Sequence, residues 1–308
     1  MVVAVLAPGQ GSQKPGFLDS WLELPDAPAR LTWWSALSGI DLIHLGTKAD
    51  QAEITDTAKT QPLLVAAGLL AAEHLPIDRV DIVAGHSVGE LTAARLAGVV
   101  SSETAVTLAA VRGREMAAAC ALEPTGMSAV LGGDPDEVLA AIEKAGAHPA
   151  NRNGAGQVVA AGSTAALAAI AENPPTKARV IPLKVAGAFH TPYMEPALDA
   201  FASVAAGVVP NDPERTWLSN LSGSAMPSGE VAIQRLVKQI IAPVRWDACM
   251  KSMLAKGVTG IIELAPAGTL AGLAKRDMKG VEIVKVNTPD DLDAARDLIN
   301  RIHAEGSA

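Results

Sequence analysis

The sequence has few cysteines, few aromatic residues and a deficit of positive charge. Its two cysteines, Cys120 and Cys249, have no CxxC partner and no histidine at ligand spacing, so we expect neither a disulfide scaffold nor a metal site. With 25 Lys and Arg against 33 Asp and Glu, the net charge is −8, which argues against a nucleic-acid-binding protein. Apolar runs fall short of the roughly 18 to 20 residues that a membrane span needs. The cysteine usage predicts a reducing, cytoplasmic location.

The abundant residues are small and aliphatic. Hydrophobic residues make up 49% of the 308 and charged residues 19%, a composition that excludes intrinsic disorder. A compact chain of this length buries roughly 75% of the surface that its unfolded form exposes. We therefore expect one large domain, with or without a smaller one.

Short apolar runs alternate with longer helical patterns, which is typical of parallel strands joined by crossover helices. The predicted fold class is α/β. The predicted strands are Val2–Leu6, Ile82–Ala84, Ser128–Leu131, Gln157–Ala161, Arg179–Pro182, Thr216–Ser219, Gly260–Glu263 and Glu282–Val286. The predicted helices are Gln61–Glu73, Val88–Ala97, Ser102–Ala121, Pro135–Ala145 and Thr164–Glu172.

The pattern changes between residues 124 and 184. The pattern predicts the order strand, helix, strand, helix, strand, with one further short strand whose position it does not fix. Gly132-Gly133 and Pro174-Pro175 mark turns between these elements. We predict a small βαββαβ domain at residues 124–184. It interrupts a large, discontinuous domain formed by residues 1–123 and 185–308.

The segment Gly85-His86-Ser87-Val88-Gly89-Glu90 follows a predicted strand and precedes a predicted helix. It matches the nucleophile elbow G-x-S-x-G in the strand-turn-helix context that this motif requires. Glycines two residues to either side of Ser87 allow a tight turn that exposes its hydroxyl, and the following helix directs N–H groups at the same point. Ser87 is therefore a candidate nucleophile, and an ordinary glycine-rich turn is the alternative.

A serine nucleophile needs a base, and the chain has six histidines. His190 lies in a loop of small residues between a predicted strand and a predicted helix, where functional side chains gather in α/β proteins. His86 adjoins the serine but projects elsewhere from a tight turn, so we expect it to pack or hydrogen-bond locally. We favour His190 as the base over His86 and the others, which are His44, His74, His148 and His303.

A second glycine-rich segment, Gly9-Gln10-Gly11-Ser12-Gln13, follows the first predicted strand. It begins like a dinucleotide-binding fingerprint, but Lys14 stands where the third glycine belongs, so that interpretation fails. The loop can instead bring the backbone N–H of Gln10 opposite that of Val88. These two groups would form an oxyanion hole, in which one donor is typically worth about 10²- to 10³-fold in rate.

Arg112 occupies an apolar face of the predicted helix 102–121. By helical spacing it shares that face with Ala105, Leu108, Ala109, Met116 and Ala119. A desolvated guanidinium keeps its proton and requires an anionic or multiply accepting partner. The partner is either an acidic residue of this chain or the carboxylate of a substrate, which Arg grips in a bidentate manner. Gln61 could orient the guanidinium from the start of an adjacent helix.

Taken together, these motifs resemble the malonyl-CoA:acyl-carrier-protein transacylases of fatty-acid and polyketide synthesis, over essentially the whole chain. The matching segments are Pro8-Gly9-Gln10-Gly11-Ser12-Gln13, Thr60-Gln61-Pro62, Gly85-His86-Ser87-Val88-Gly89-Glu90, Arg112, Phe189-His190, and Gln239 ahead of Pro243-Val244. The resemblance implies an α/β-hydrolase-like large domain interrupted by a ferredoxin-like small one.

The resemblance also implies roles for residues. Ser87 would be the nucleophile and His190 its base, with the N–H groups of Gln10 and Val88 as the oxyanion hole. Arg112 would hold the malonyl carboxylate, and the backbone carbonyl of Gln239 would hold the His190 ring. Phe189 would crowd an α-methyl branch and so favour malonyl over methylmalonyl groups. Asn151 and Asn153 match a family segment that lines the cleft from the small domain.

The implied reaction is ping-pong transfer from malonyl-CoA to the phosphopantetheine thiol of an acyl carrier protein, with no bound cofactor and no metal. We expect a monomer. The carrier is acidic as a family, so it would dock on a local basic patch of this acidic chain. Two alternatives stay open: a serine hydrolase such as a thioesterase, and a non-catalytic module that docks carrier proteins. The candidate patch residues are Lys177, Arg179, Lys184, Lys275 and Arg276.

Overall fold

A five-stranded parallel sheet forms the centre of the computed structural model, which describes residues 1–306. Its strand order is β7-β2-β1-β8-β9. The strands are β1 (Val2–Ala7), β2 (Ile82–Gly85), β7 (Thr216–Leu218), β8 (Val258–Glu263) and β9 (Glu282–Lys285). Strand β1 lies in the middle, and it pairs in parallel with β2 and with β8.

The side chains of β1 alternate between two hydrophobic cores, one on each face of the sheet. Val3 and Val5 belong to the larger core, whereas Ala4 and Leu6 belong to the smaller one. A parallel strand covered by helices on both faces needs apolar residues at every position, which explains the unbroken run Val2-Val3-Ala4-Val5-Leu6.

The described chain contains these helices: α1 (Ala27–Ser38), α2 (Leu42–Thr47), α3 (Thr57–Glu73), α4 (Gly89–Leu96), α5 (Ser102–Cys120), α6 (Pro135–Lys144), α7 (Thr164–Glu172), α8 (Leu198–Ala205), α9 (Gly229–Gln239), α10 (Trp246–Ala255), α11 (Thr269–Asp277) and α12 (Leu292–Gly306). Helix α3 is buried along nearly its whole length, which is why its sequence is apolar on most faces. The side chain of Ser101 caps α5 by accepting the N–H of Thr104, as the sequence predicts.

A separate antiparallel sheet has the order β4-β5-β3-β6. Its strands are β3 (Thr125–Gly132), β4 (His148–Gly154), β5 (Gln157–Ser163) and β6 (Ala178–Pro182), with α6 after β3 and α7 after β5. This βαββαβ order agrees with the predicted small domain, and β4 is the strand that the pattern did not place. Its polar residues and its register shifts explain why no alternation was visible.

The predicted α/β class is confirmed, and two details of the prediction are corrected. Helix α3 begins at Thr57 rather than at Gln61, because Asp56 caps it by accepting the N–H of Ala58 and the helix continues through Pro62. His148, expected in an exposed segment, is half-buried in β4. The boundaries of the domains at residues 123/124 and 184/185 stay a prediction.

The two sheets are joined through β4 and the segment before α10. Val244 donates its N–H to the carbonyl of Ala150 at 2.8 Å, and its carbonyl accepts the N–H of Arg152 at 2.9 Å. At the turn after β4, Asp277 at the end of α11 accepts the N–H of Ala155 at 2.6 Å. Backbone hydrogen bonds thus fix the small sheet against the large one.

None of the helices between residues 1 and 306 combines the length and the apolar character needed to cross a membrane.

Candidate active site

Ser87 lies on a sharp turn between β2 and α4, at the carboxyl edge of the parallel sheet. Its φ angle of 53° is in the left-handed region, which residues other than glycine rarely adopt. The flanking glycines make the turn possible, since a Cβ on Gly85 would collide with the backbone of Gly89, and one on Gly89 would collide with the carbonyl of Ala7. The strain and the close approach are the features of a nucleophile elbow.

The structure brings His190 to Ser87. Ser87 Oγ and His190 Nε2 are 2.7 Å apart, and His190 Nδ1 lies 2.8 Å from the backbone carbonyl of Gln239. A carbonyl can only accept, so Nδ1 carries the proton and Nε2 is free to accept the proton of the serine hydroxyl. His190 is 3% exposed and has a φ of 61°, so a strained loop presents the ring to the serine.

The environment of His190 keeps its imidazole neutral. Burial, and to a smaller extent the positive charge of Arg112, lower the pKa of His190 to about 3, although the hydrogen bond to Gln239 opposes the shift. The ring is therefore an unprotonated acceptor throughout the neutral pH range.

Two backbone N–H groups beside Ser87 have no hydrogen-bond acceptor in the described part of the chain. Ala7 at the end of β1 pairs with Gly85 at the end of β2, so the loop that contains Gln10 and the elbow leave the sheet side by side. Within residues 1–306, the N–H groups of Gln10 and Val88 donate no hydrogen bond. Val88 is buried and Gln10 is half-buried, and two such N–H groups without an acceptor in the described chain are suited to receive an oxyanion.

Arg112 reaches Ser87 from α5. Its Nη2 lies 3.3 Å from Ser87 Oγ and donates to Gln239 Oε1 at 2.8 Å, and its Nη1 donates to Gln61 Oε1 at 2.7 Å. The guanidinium is 2% exposed. Gln61 orients it, as expected, although from inside α3 rather than from the start of a helix.

The partners of Arg112 decide between the two interpretations of this residue. Among the residues that the structure describes, no carboxylate lies within ion-pair distance of it. Burial lowers the pKa of Arg112 to about 10, and the charge of Glu90 partly opposes this effect. A desolvated cation held by neutral amides is prepared for an anion from outside.

A glycine in α5 allows α3 to approach closely enough for the contact between Gln61 and Arg112. A Cβ on Gly113 would lie 2.8 Å from the carbonyl oxygen of Thr57 and 3.2 Å from Cβ of Gln61. Any larger residue would separate the two helices at the level of the guanidinium.

Sequence reasoning missed a buried polar cluster behind Ser87. Asn220 accepts the N–H of Ser87 at 2.7 Å and donates Nδ2 to the carbonyl of Gly85 at 2.7 Å, so its amide spans the elbow. Glu90 accepts the N–H of Asn220 at 2.8 Å and also bonds Nε2 of Gln239. Asn220 follows β7, and a polar residue just after a parallel strand was the signal that could have identified it.

The remaining predicted residues, Asn151, Asn153 and Phe189, make no hydrogen bond to Ser87, His190 or Arg112 in the described chain. Asn153 bonds the ring of His86, the neighbour of Ser87, at 3.0 Å. His86 does not contact the Ser87 hydroxyl group; its ring contacts Asn153 and Trp246, which are distant in the sequence rather than local. Asn151 forms a backbone bridge with Val244 instead. Phe189 is buried in the larger core.

The residues that the structure describes contain no group of three His, Cys, Asp or Glu side chains that could hold a metal ion. Both cysteines are free thiols, and burial raises the pKa of Cys120 to about 11 and that of Cys249 further still. The polar side chains around Ser87 thus offer acyl-transfer chemistry through a hydroxyl, an imidazole and backbone donors.

Comparisons with known proteins agree with this chemistry. The family model described as an acyl transferase domain matches residues 6–307. A curated malonyl CoA-acyl carrier protein transacylase of Mycobacterium tuberculosis is 53% identical over 302 residues, which cover 96% of this chain and 100% of that protein. The crystal structure of MCAT from the same organism superimposes with a TM-score of 0.93 at 53% identity, over 96% of this chain and 100% of that one.

A solved complex of a type II PKS acyl-carrier protein with its malonyl-transacylase also matches, with a TM-score of 0.89 and 29% identity, over 97% of this chain and 100% of that chain. The family match, the sequence identity and the shared fold all extend over nearly the whole chain, and so they include the residues around Ser87. This chain is an acyltransferase, and it belongs to the family of malonyl CoA-acyl carrier protein transacylases.

Proposed function

We propose that this protein transfers the malonyl group of malonyl-CoA to the phosphopantetheine thiol of an acyl carrier protein through a malonyl ester of Ser87. The observation that carries the proposal is the buried guanidinium of Arg112, which lies 3.3 Å from Ser87 Oγ without an ion pair in the described chain. A malonyl group on Ser87 carries a carboxylate that the guanidinium can bind. The names of the relatives support the same substrate.

In the first half-reaction, Ser87 Oγ attacks the thioester carbonyl while His190 Nε2 takes the hydroxyl proton. The N–H groups of Gln10 and Val88 bind the oxyanion. When the tetrahedral intermediate collapses, the carbon–sulfur bond breaks, and the imidazolium gives its proton to the departing CoA thiolate. The enzyme is left as malonyl-Ser87 with a neutral imidazole.

In the second half-reaction, the carrier's thiol gives its proton to His190 and attacks the ester carbonyl. Ser87 leaves and recovers the proton. The partner of His190 Nδ1 is a carbonyl rather than a carboxylate, which makes the imidazole a weaker base than in a hydrolase with an acidic third residue. Water is then poorly activated, and the ester survives until the carrier arrives.

The malonyl ester is testable by intact mass. Incubation with malonyl-CoA and no carrier should add one malonyl group to the wild-type protein and none to Ser87→Ala. Addition of the phosphopantetheinylated carrier should discharge it. An adduct that persists in Ser87→Ala, or a wild-type protein that gains no mass, would contradict the proposal.

Arg112 distinguishes malonyl transfer from the hydrolase alternative. We expect Arg112→Ala to lose malonyl transfer by about 100-fold, since one charge-assisted contact is worth roughly 1.5–3 kcal/mol and this one is bidentate. Acetyl transfer, which lacks the carboxylate, should stay level or rise. Rates are measured with both CoA esters, and an equal loss for both would mean that Arg112 is structural. The preference for malonyl over methylmalonyl groups, which we predict from Phe189, is measured in the same assay with methylmalonyl-CoA as the donor.

The carrier protein is proposed to dock on exposed basic residues beside the small sheet or on α11. Arg179 lies in the edge strand β6 and Lys177 and Lys184 lie at its two ends, all three exposed. Lys275 and Arg276 are exposed in the last turn of α11. An acidic partner would be attracted to either group. The complex of a related transacylase with its carrier supports such a partner, in fatty-acid or polyketide synthesis.

We further propose a cytoplasmic location and a monomeric state. Two free thiols with raised pKa values support the reducing compartment. The reaction as written uses no bound cofactor, since the donor and the acceptor bring the only groups that it needs.

A further inference from the structure

The side chain of Gln239 makes contacts that differ from the role of its backbone carbonyl. Its Oε1 accepts Nη2 of Arg112 at 2.8 Å, and its Nε2 points the other way, toward Glu90, with longer contacts to the carbonyl of Ser87 at 3.2 Å and to Oδ1 of Asn220 at 3.3 Å. Gln239 is fully buried. The amide therefore lies between a cation and a carboxyl group, one on each of its two sides.

Only one orientation of this amide satisfies both neighbours. If the amide rotated by half a turn, Nε2 would face the donors of Arg112 and Oε1 would face the carboxyl oxygen of Glu90. With Glu90 ionised, as it is above about pH 8, both contacts would then be repulsive in a site that is fully buried. Glu90, which makes the shortest contact with Nε2, thus contributes most to selecting the orientation that gives Arg112 an acceptor, and the longer contacts to Ser87 and Asn220 favour the same orientation.

We propose that Glu90 is a positioning residue for the malonyl carboxylate: it holds the amide of Gln239 so that Oε1 fixes the guanidinium of Arg112 beside Ser87. The inference rests on the proposed malonyl transfer and adds a determinant of its specificity. Glu90 touches neither Ser87 Oγ nor His190 in the structure, so it acts through Gln239.

The other oxygen of Glu90 explains why the carboxyl group stays in place. Glu90 Oε1 accepts the backbone N–H of Asn220 at 2.8 Å, and both residues are fully buried. A backbone N–H cannot rotate away, so it anchors the carboxyl group while Oε2 serves Gln239. Glu90 is the second residue of α4 and lies three positions after Ser87. The segment that presents Ser87 therefore also supplies the carboxyl group that orients Gln239 and, through it, Arg112.

The test is the isosteric variant Glu90→Gln. A neutral amide has only one oxygen, so it cannot accept from both Asn220 and Gln239. The backbone donor is fixed, and the conflict should be relieved by rotation of the Gln239 side chain, which deprives Arg112 of its acceptor. We expect kcat/KM for malonyl-CoA, measured above pH 8 where Glu90 is ionised, to fall about 10-fold or more, mainly through KM, with kcat/KM for acetyl-CoA near the wild-type value.

Further variants test whether Glu90 acts through the amide of Gln239. Gln239→Met preserves the backbone carbonyl that holds His190 but removes the amide, and it should lower the malonyl-to-acetyl ratio in the same way. Because Glu90 acts through this amide, the double variant should show no further loss of the ratio. Glu90→Asp, which withdraws the carboxylate by one methylene, should lower the ratio too and replaces Glu90→Gln if that variant does not fold.

Glu263→Gln is the matched control. Glu263 is also a fully buried glutamate, but it accepts the N–H groups of Gly268, Leu270 and Ala271 at the start of α11. Its replacement should lower stability and leave the malonyl-to-acetyl ratio at the wild-type value.

An unchanged ratio in Glu90→Gln, or an equal loss for both donors, would overturn the inference while malonyl transfer by the wild-type protein stands. A wild-type protein that transfers no malonyl group at all would overturn the proposed function, and the inference with it.

Discussion

At the scale of single residues, the proposed chemistry depends on two side chains that contact the same atom, Ser87 Oγ. His190 and Arg112 both contact Ser87 Oγ, at 2.7 and 3.3 Å, so base and clamp meet at the nucleophile. The same proximity places a positive charge beside the imidazole, which lowers its pKa. A malonyl carboxylate on Arg112 would offset that charge, so substrate and base are electrostatically coupled.

The pH dependence of the reaction should reveal this coupling. His190 has a pKa of about 3, lowered first by burial and then by Arg112, so it is already deprotonated at pH 5. We expect kcat/KM of the wild-type protein to lack an acid limb near pH 6.5, the usual pKa of a histidine. In Arg112→Ala, assayed with acetyl-CoA, the pKa should rise and the limb should move toward neutral pH. A wild-type limb centred near 6.5 would mean that the imidazole is hydrated and unperturbed.

At the scale of elements, the substrate clamp depends on how closely two helices pack. Arg112 comes from α5 and Gln61 from α3, and the adjacent Gly113 is where the two helices touch. Helix propensity alone disfavours glycine at the centre of a helix by roughly 0.5–1 kcal/mol relative to alanine. Its presence there is explained by the close approach that the contact between Gln61 and Arg112 requires.

Gly113→Ala should therefore damage both stability and specificity. The new Cβ would lie 2.8 Å from the carbonyl oxygen of Thr57, and backbone must move to relieve the clash. We expect a loss of about 1–3 kcal/mol in the free energy of unfolding and a lower malonyl-to-acetyl ratio. The control is Gly272→Ala in α11, where no atom lies within 4 Å of the added Cβ.

Gly272→Ala should instead raise stability by about 0.5–1 kcal/mol and leave the ratio alone. Urea unfolding and paired assays measure both quantities. Equal stability of Gly113→Ala and the wild-type protein would show that α3 and α5 tolerate a larger separation.

At the scale of the whole molecule, buried carboxyl groups link the stability of the fold to pH. Burial raises the pKa of Glu90 to about 8, although hydrogen bonds from Asn220 and Gln239 and the charge of Arg112 oppose the shift. Burial also raises the pKa of Glu263. In the unfolded chain both return to the usual value near 4.3, so the folded protein binds more protons between these limits.

The sign of the effect follows from that difference. Because the folded state holds the proton more tightly, the contribution of Glu90 is fully present below about pH 4.3 and is lost as the pH rises through 8. We expect Glu90→Gln to abolish this part of the slope, so the difference between wild-type and variant free energies of unfolding should decrease steadily from pH 5 to 8. Urea unfolding at several pH values measures it, and parallel curves would show that Glu90 ionises at the same pH in both states.

The sequence determined the local elements of this protein and predicted its candidate site around Ser87, and the tertiary structure decided the contacts among distant residues. The elbow around Ser87, the strand β1 and the helix α5 are specified by glycine spacing, apolar runs and caps, which act within a few residues. The α/β class and the small βαββαβ segment followed from the same local signals, whereas the antiparallel pairing of its strands is a tertiary property. Polar β4 escaped prediction because only its pairing with β5 makes it a strand.

That Arg112 has no ion pair among the residues described by the structure could not be predicted from the sequence, since it depends on where each carboxylate lies in the fold. The roles of Asn220 and Glu90 were hidden for the same reason: their partners are 133 and 149 positions away in the sequence. A buried polar residue acquires a function from the donors and acceptors that folding places around it. The sequence alone therefore predicted Ser87 as the nucleophile, whereas only the folded protein showed which side chains orient Arg112 beside it.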